Sequence, residues 1–220
     1  MDEAGGRGKA MIPITDPRIE MYMMRMAPEP DPRVAAMEDK ARETGLPIVD
    51  RLVGRFLYIL TRMKQPKLIV ELGSGFGYSA YWFARALSIR SKVVLTDYSQ
   101  ENLAYARKIF GETGLIDRAE FRAGEALRIA TEYDDIDILF IDINKEQYLE
   151  AISVMLPRLA KNALVVADNA LWHGNVAEEG TKDKETEAIL RFNDFMFSHE
   201  EFFTSIVPLR DGVLLAYKFN

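Results

Sequence analysis

Two acidic residues stand where strands are expected to end: Asp142 in Phe140-Ile141-Asp142-Ile143-Asn144-Lys145, and Asp168, followed by Asn169, in Val165-Val166-Ala167-Asp168-Asn169. If those strands are neighbours, two carboxylates and an amide oxygen meet at the carboxyl edge of a sheet, where open α/β sheets bind ligands. Such a set suits a hard cation, Mg²⁺ or in its place Ca²⁺ or Mn²⁺, and leaves about three coordination positions for water and substrate. The vicinal hydroxyls of a catechol would fill two of them. The competing reading is that each acid caps the loop after its strand. Lys145 lies close enough behind Asp142 to turn back over the same rim. A divalent cation beside it would lower its pKa and make it a general base toward a substrate hydroxyl. The plainer alternative is a solvated lysine at a helix start.

A second motif is Val70-Glu71-Leu72-Gly73-Ser74-Gly75-Phe76-Gly77-Tyr78-Ser79. Glycines between a strand and a helix let the backbone turn sharply toward a ligand, and the helix N-terminus offers free N–H groups. A dinucleotide fingerprint needs G-x-G-x-x-G; here the third glycine comes one place early. Glu71 leads the loop, and its carboxylate would repel a pyrophosphate but attract a sulfonium or ammonium group. The pattern suits a cationic nucleoside such as S-adenosylmethionine, against the alternative of a generic glycine turn. Asp97 ends the next strand, where an acid can accept both hydroxyls of a ribose; alternatively it caps the following helix together with Ser99.

The elements that must position these groups are predicted from periodicity. Helical spacing appears around Ile19, Tyr22, Met23 and Met26, from Pro32 to Glu43, and from Asp50 to Met63. Strand and helix then alternate strictly: Leu68 to Leu72 and Gly77 to Leu87; Lys92 to Thr96 and Gln100 to Thr113; Glu120 to Ala123 and Glu125 to Thr131. The alternation continues with Ile136 to Ile141 and Lys145 to Leu159, then Ala163 to Ala167 and Lys184 to His199. That order predicts a doubly wound parallel sheet. Phe202 to Val207 and Val213 to Phe219 have only a turn between them and read as an antiparallel pair at the sheet edge. The expected organisation is a flexible tail over 1–15 and one domain over 16–220. Within it, helices over 16–64 cover the ligand rim and the sheet core spans 65–220.

Composition narrows the chemistry further. The 220 residues are 48% hydrophobic and 28% charged, average for a globular protein. Zero cysteines exclude disulfide frameworks, thiolate metal sites and cysteine nucleophiles, and two histidines leave oxygen ligands for any metal. No apolar run approaches the roughly 20 residues needed to cross a bilayer, and Met1 to Lys9 lacks the layout of a signal peptide, so the chain reads as cytoplasmic. A net charge of −6 does not favour indiscriminate binding to nucleic acid or anionic membrane.

Taken together, the segments Glu71 to Ser79, Asp97, Phe140 to Tyr148, Asp168 to Val176, Phe192-Asn193 and Pro208 to Gly212 resemble the cation-dependent, catechol-type O-methyltransferases, which include caffeoyl-coenzyme A enzymes, over about Leu46 to Lys218. The resemblance implies a Rossmann-like class I methyltransferase with a seven-stranded, mostly parallel sheet and an antiparallel last strand. It places Glu71, Gly73, Gly75, Ser79, Asp97, Tyr98, Glu125, Ala126 and Asp142 at the S-adenosylmethionine site, with Glu71 near the methionine part. It assigns Asp142, Asp168 and Asn169 to a Mg²⁺-type cation, Lys145 to the base, and a phenolic small molecule as acceptor, and it suggests a homodimer. Asn144, where the animal enzyme carries a tryptophan, is expected with Trp172 and His173 toward the acceptor; for His173 a surface or loop-bonding role competes.

Three alternatives are weighed beside this reading. Relatives methylate hydroxyuridine in transfer RNA, and Arg51, Arg55, Arg62, Lys64 and Lys67 would supply a phosphate-binding strip. A non-catalytic cofactor-binding protein is disfavoured by the intact acidic set and Lys145. A nicotinamide oxidoreductase is disfavoured by the glycine spacing.

Overall fold

The structure is a computed structural model that describes residues 12–28, 31–180 and 183–219. Three helices come first, each opened by an aspartate that accepts from backbone N–H groups of the first turn. They are α1 (Pro17–Met26, capped by Asp16), α2 (Pro32–Thr44, capped by Asp31) and α3 (Arg51–Lys64, capped by Asp50). In α1 and α2 the next residue is proline, whose fixed φ and missing N–H suit the first helical position.

The alternating part follows: β1 (Leu68–Leu72), α4 (Tyr78–Ala86), β2 (Lys92–Asp97), α5 (Gln100–Glu112), β3 (Ala119–Ala123), α6 (Ala126–Ala130), β4 (Ile136–Ile141), α7 (Tyr148–Met155), β5 (Leu159–Ala167), α8 (Lys184–Ser198), β6 (Phe202–Val207) and β7 (Val213–Lys218). The seven strands lie in the order β3-β2-β1-β4-β5-β7-β6. Neighbours from β3 through β5 are parallel, and β7 is antiparallel to both β5 and β6. The expected doubly wound sheet with its antiparallel closing pair is the observed one.

Both faces of the sheet are covered, so its central strands β1 and β4 are apolar but for Glu71 and Asp137. On one face Ile69, Ile138 and Phe140 pack with Leu57, Phe83 and Phe110 from α3, α4 and α5. On the other Val70, Leu139 and Ile141 pack with Ala130, Tyr148, Ile152 and Phe192 from α6, α7 and α8. Among the described residues no helix is long and apolar enough to cross a membrane.

Three details depart from the expected elements or refine them. The helix expected from Lys145 to Leu159 is shorter: 3₁₀ turns over Lys145–Gln147 and Leu156–Arg158 flank α7. Pro157, lacking an N–H, stops the helix. β5 starts at Leu159 rather than Ala163, and its pairing with β4 shifts register between Ile136 and Ile138. Asn162, at φ 60°, absorbs the irregularity. Residues 1–11 of the expected tail lie outside the described residues. Residues 12–15 run over the protein body: Ile12 passes against Gly174, and Thr15 Oγ1 donates to the Pro208 carbonyl at 3.3 Å.

Candidate active site

The register of the sheet brings the acids together. Ala167 pairs with Ile141, so Asp142 and Asp168 each stand one residue beyond a matched pair at the carboxyl edge. The chain is pinned there by Asp142 N–H donating to Leu72 O at 3.0 Å and Asp168 N–H donating to Ile141 O at 3.1 Å. Beside them opens a cavity of about 530 Å³. Gly73, Gly75, Asp97 and Tyr98 wall one part of it; Asp142, Lys145, Asp168 and Asn169 wall another. Asn144, Trp172 and His173 also face it, together with Leu46, Pro47 and Ile48 from the α2–α3 link. The N-terminal region thus covers the ligand rim through this link. A second cavity of about 490 Å³ shares Asp168, Asn169 and His173 and is closed by the segment around Ile12 to Pro17, with Glu20, Asp50, Arg210 and Asp211. Arg210 ties that wall together, with Nη1 2.8 Å from Glu20 Oε2 and Nε 2.7 Å from Asp50 Oδ2.

The glycine loop does what its composition suggests. Gly73 has φ +83°, and a Cβ there would overlap the Asp142 carbonyl, so only glycine lets β1 turn this close to the end of β4. Behind the loop Glu71 is fully buried; one carboxylate oxygen accepts from Ser79 Oγ, while Oε2 is buried with no hydrogen-bond partner. Burial, opposed by the Ser79 hydrogen bond and reinforced by Asp142 and Asp97, pushes Glu71 up to about 7. An orphaned buried carboxylate oxygen next to a ligand loop fits a cation that carries donors, such as the ammonium of a methionine moiety.

Asp97 does the capping job weighed for it. Its Oδ1 accepts from Ser99 N at 2.7 Å and Asn102 Nδ2 at 3.3 Å at the start of α5. The residue still faces the cavity, beside the ring of Tyr98, which is 73% exposed and available for stacking. Two charge-assisted hydrogen bonds to a ribose are each worth about 1.5–3 kcal/mol. Asp97→Ala is expected to weaken S-adenosylmethionine binding by at least about tenfold in calorimetry; unchanged affinity with a lowered melting temperature would leave only the capping role. Ala126 faces the cavity, but Glu125 does not: its carboxylate accepts from Leu127 N at 3.0 Å and Arg128 N at 2.5 Å, capping α6. Ser79 likewise supports Glu71 from behind rather than walling the cavity.

Lys145 is 7% exposed. Its Nζ donates to Asp142 Oδ1 at 3.2 Å, Ile143 O at 3.3 Å and Tyr148 Oη at 2.8 Å. The nitrogen also lies 4.9 Å from the ring centroid of Tyr148 and 5.6 Å from that of Trp172. Tyr148 Oη in turn donates to Asp168 O at 3.2 Å. Burial raises Asp142 against the pull of Lys145. Burial and the charge of Asp142 push Asp168 up to about 8, again against Lys145. Two crowded carboxyls disfavour ionising together without a cation, and Asn169 adds a neutral oxygen beside them; this donor set fits a hard divalent cation. Among the described residues no three acidic or histidine side chains converge, so the third donor would have to be the Asn169 amide.

Sequence reasoning missed Tyr148, Ile48, Arg210 and Asp211 as parts of the site. Asp211 was visible only within the matching run Pro208 to Gly212, which has the composition of an ordinary hairpin tip.

A sheet of this strand order, with a ligand loop after β1, an acid after β2 and a carboxylate suited to a cationic ligand, defines the nucleoside-binding fold of class I methyltransferases. A model of the O-methyltransferase family matches residues 36–219, and the chain belongs to that family of S-adenosylmethionine-dependent enzymes. A catechol O-methyltransferase of Niastella koreensis is 28% identical over 210 residues, 90% of this chain and 95% of that protein. Among solved structures, a methyltransferase from Geobacter sulfurreducens superposes with a TM-score of 0.85 at 45% identity, covering 96% of this chain and 100% of that one. The O-methyltransferase TomG of Streptomyces achromogenes, involved in tomaymycin synthesis and solved with S-adenosylmethionine, gives 0.83 at 25% identity, covering 92% and 96%.

Proposed function

We propose that this enzyme is a divalent-cation-dependent O-methyltransferase acting on one hydroxyl of a compact catechol-type acceptor. The observation that carries the reading is the gathering of Asp142, Asp168, Asn169 and Lys145 on one rim, with Asp168 and Asn169 facing both cavities. The cavity with Gly73, Asp97 and Tyr98 takes the methyl donor, and the one closed by residues 12–20 takes the acceptor. Asp142, Asp168 and Asn169 would hold the cation, which when bound supplies charge stabilisation to an ionised acceptor oxygen and a fixed point for its neighbour. That oxygen forms a bond to the methyl carbon as the sulfonium–carbon bond breaks, leaving S-adenosylhomocysteine. Lys145 takes the proton, its Nζ standing on the same rim beside Asp142 and Tyr148. Positive and negative charge cancel as the bond forms, so the walls that exclude water, Leu46 to Ile48 and Trp172, favour the reaction.

The transfer-RNA reading loses part of its support. Arg51 is paired with Glu38 (Nη2–Oε2 2.6 Å), Arg55 and Arg62 donate to the carbonyls of Pro28 and Ala86, and Lys64 lies 3.7 Å from Asp137. Arg51 and Lys64 are thus engaged within the fold, whereas Arg55, Arg62 and Lys67 stay exposed. Incubation with S-adenosylmethionine and caffeic acid is expected to yield monomethylated product with Mg²⁺, none with a chelator, and product again when excess Mg²⁺ is restored. Mass spectrometry reads the outcome, and methylation indifferent to the chelator would overturn the cation requirement.

A further inference from the structure

We propose that Asp211, in the turn between β6 and β7, is a positioning residue that decides which end of the Asn169 amide faces the cation site. The inference rests on the proposed cation dependence and goes beyond it. Asp211 Oδ2 accepts from Asn169 Nδ2 at 3.0 Å, and Oδ1 accepts from the His173 backbone N–H at 2.5 Å. The backbone adds two more ties, Leu171 N–H to Asp211 O and Ala170 N–H to Gly212 O, both 2.9 Å. Gly212, at φ +81°, is pressed so tightly on Leu171 that a Cβ would overlap it. The loop that carries Asn169, Trp172 and His173 is therefore laced to the hairpin turn along its length.

The chemistry of the pair dictates the orientation. An ionised carboxylate only accepts hydrogen bonds, so the end of Asn169 that meets Asp211 must be the NH₂. The amide oxygen is then left for a ligand. Asn169 itself is at φ 57°, a left-handed backbone that asparagine tolerates better than most residues, which aims its short side chain from the rim. Asp211 uses both oxygens, one for Asn169 and one for His173. An asparagine at 211 offers one acceptor for two donors. If its NH₂ turned toward Asn169, the Asn169 amide would flip and spend its oxygen there.

The test follows from this reciprocity and reads cation binding directly. Mn²⁺ is titrated calorimetrically into the full chain saturated with S-adenosylhomocysteine, for the wild type, Asp211→Asn, Asn169→Asp and the double variant. Outer partners of metal ligands are worth about 10- to 100-fold in metal affinity, and Asp211→Asn is expected to lose that much while its affinity for S-adenosylhomocysteine stays unchanged. Asn169→Asp sets two carboxylates against each other and also weakens binding. The double variant restores a donor–acceptor pair with an oxygen left over, so it should bind Mn²⁺ more tightly than Asn169→Asp alone. Wild-type affinity in Asp211→Asn, or losses that simply multiply in the double variant, would overturn the positioning role. If Asp211→Asn does not fold, the comparison of Asn169→Asp with the double variant decides alone. A wild-type protein that takes up no Mn²⁺ would instead bring down the cation reading itself, and this inference with it.

Discussion

Asp168→Ala is expected to abolish cation-dependent methyl transfer, with kcat/KM falling by at least about 10³-fold, while S-adenosylmethionine still binds. The magnitude follows from the several kcal/mol that a bound cation contributes to a developing oxyanion, at about 1.4 kcal/mol per factor of ten. The selectivity follows from the topology. The residues proposed for the donor come from the ends of β1, β2 and β4, whereas Asp168 follows β5 and faces both cavities. Nor should the loss reflect a folding defect. An acid whose folded pKa is raised, here to about 8, adds relative stability only at low pH and loses it as pH rises toward that value. In the cation-free protein near or above pH 8 the Asp168 charge is therefore a burden on the fold, and its removal should not lower the melting temperature by that route. Cation titrations of activity beside calorimetry of donor binding make the check; a variant with full activity would refute the assignment.

Lys145→Met is expected to lower kcat by about 10²- to 10⁴-fold, the usual worth of a positioned general base, with donor affinity unchanged. Methionine keeps most of the apolar stem while removing the amine that lies over the rings of Tyr148 and Trp172. Lys145→Arg is the informative partner: it keeps the positive charge beside Asp142 but cannot take a proton at working pH. If both variants are slow, the amine acts as base. If arginine restores the rate, the residue acts through its charge. A wild-type rate in the methionine variant would move proton transfer elsewhere.

The parts of the fold that were legible in the sequence are those written in local pattern. Buried strands such as Ile136–Ile141 are apolar but for Asp137 because helices cover both faces, and an aspartate at the ends of β2, β4 and β5 marks where the chain leaves the core. The adjacency of Asp142 and Asp168 needed only the ordinary order of a doubly wound sheet. What stayed hidden depends on partners distant in sequence. Arg51, read as a candidate phosphate contact, looks solvated until α2 brings Glu38 against it. Glu125 looks like a ligand contact until α6 claims its carboxylate. The early start of β5 reflects a register shift at Asn162 that propensity does not encode. Asp211 sits 42 residues from the amide it orients, and nothing in a short turn announces that reach.

The placement of β7 between β5 and β6 has a temporal consequence. Synthesis runs from the N-terminus, and the residues proposed to hold the methyl donor, from Glu71 through Asp142, are all made before β5 begins at Leu159. The outer edge of β5 then has no neighbour until the last strand arrives and slots between it and β6. Only that final segment delivers the turn that laces down Asn169. A growing chain thus acquires the residues proposed for the donor before it acquires the turn that braces Asn169.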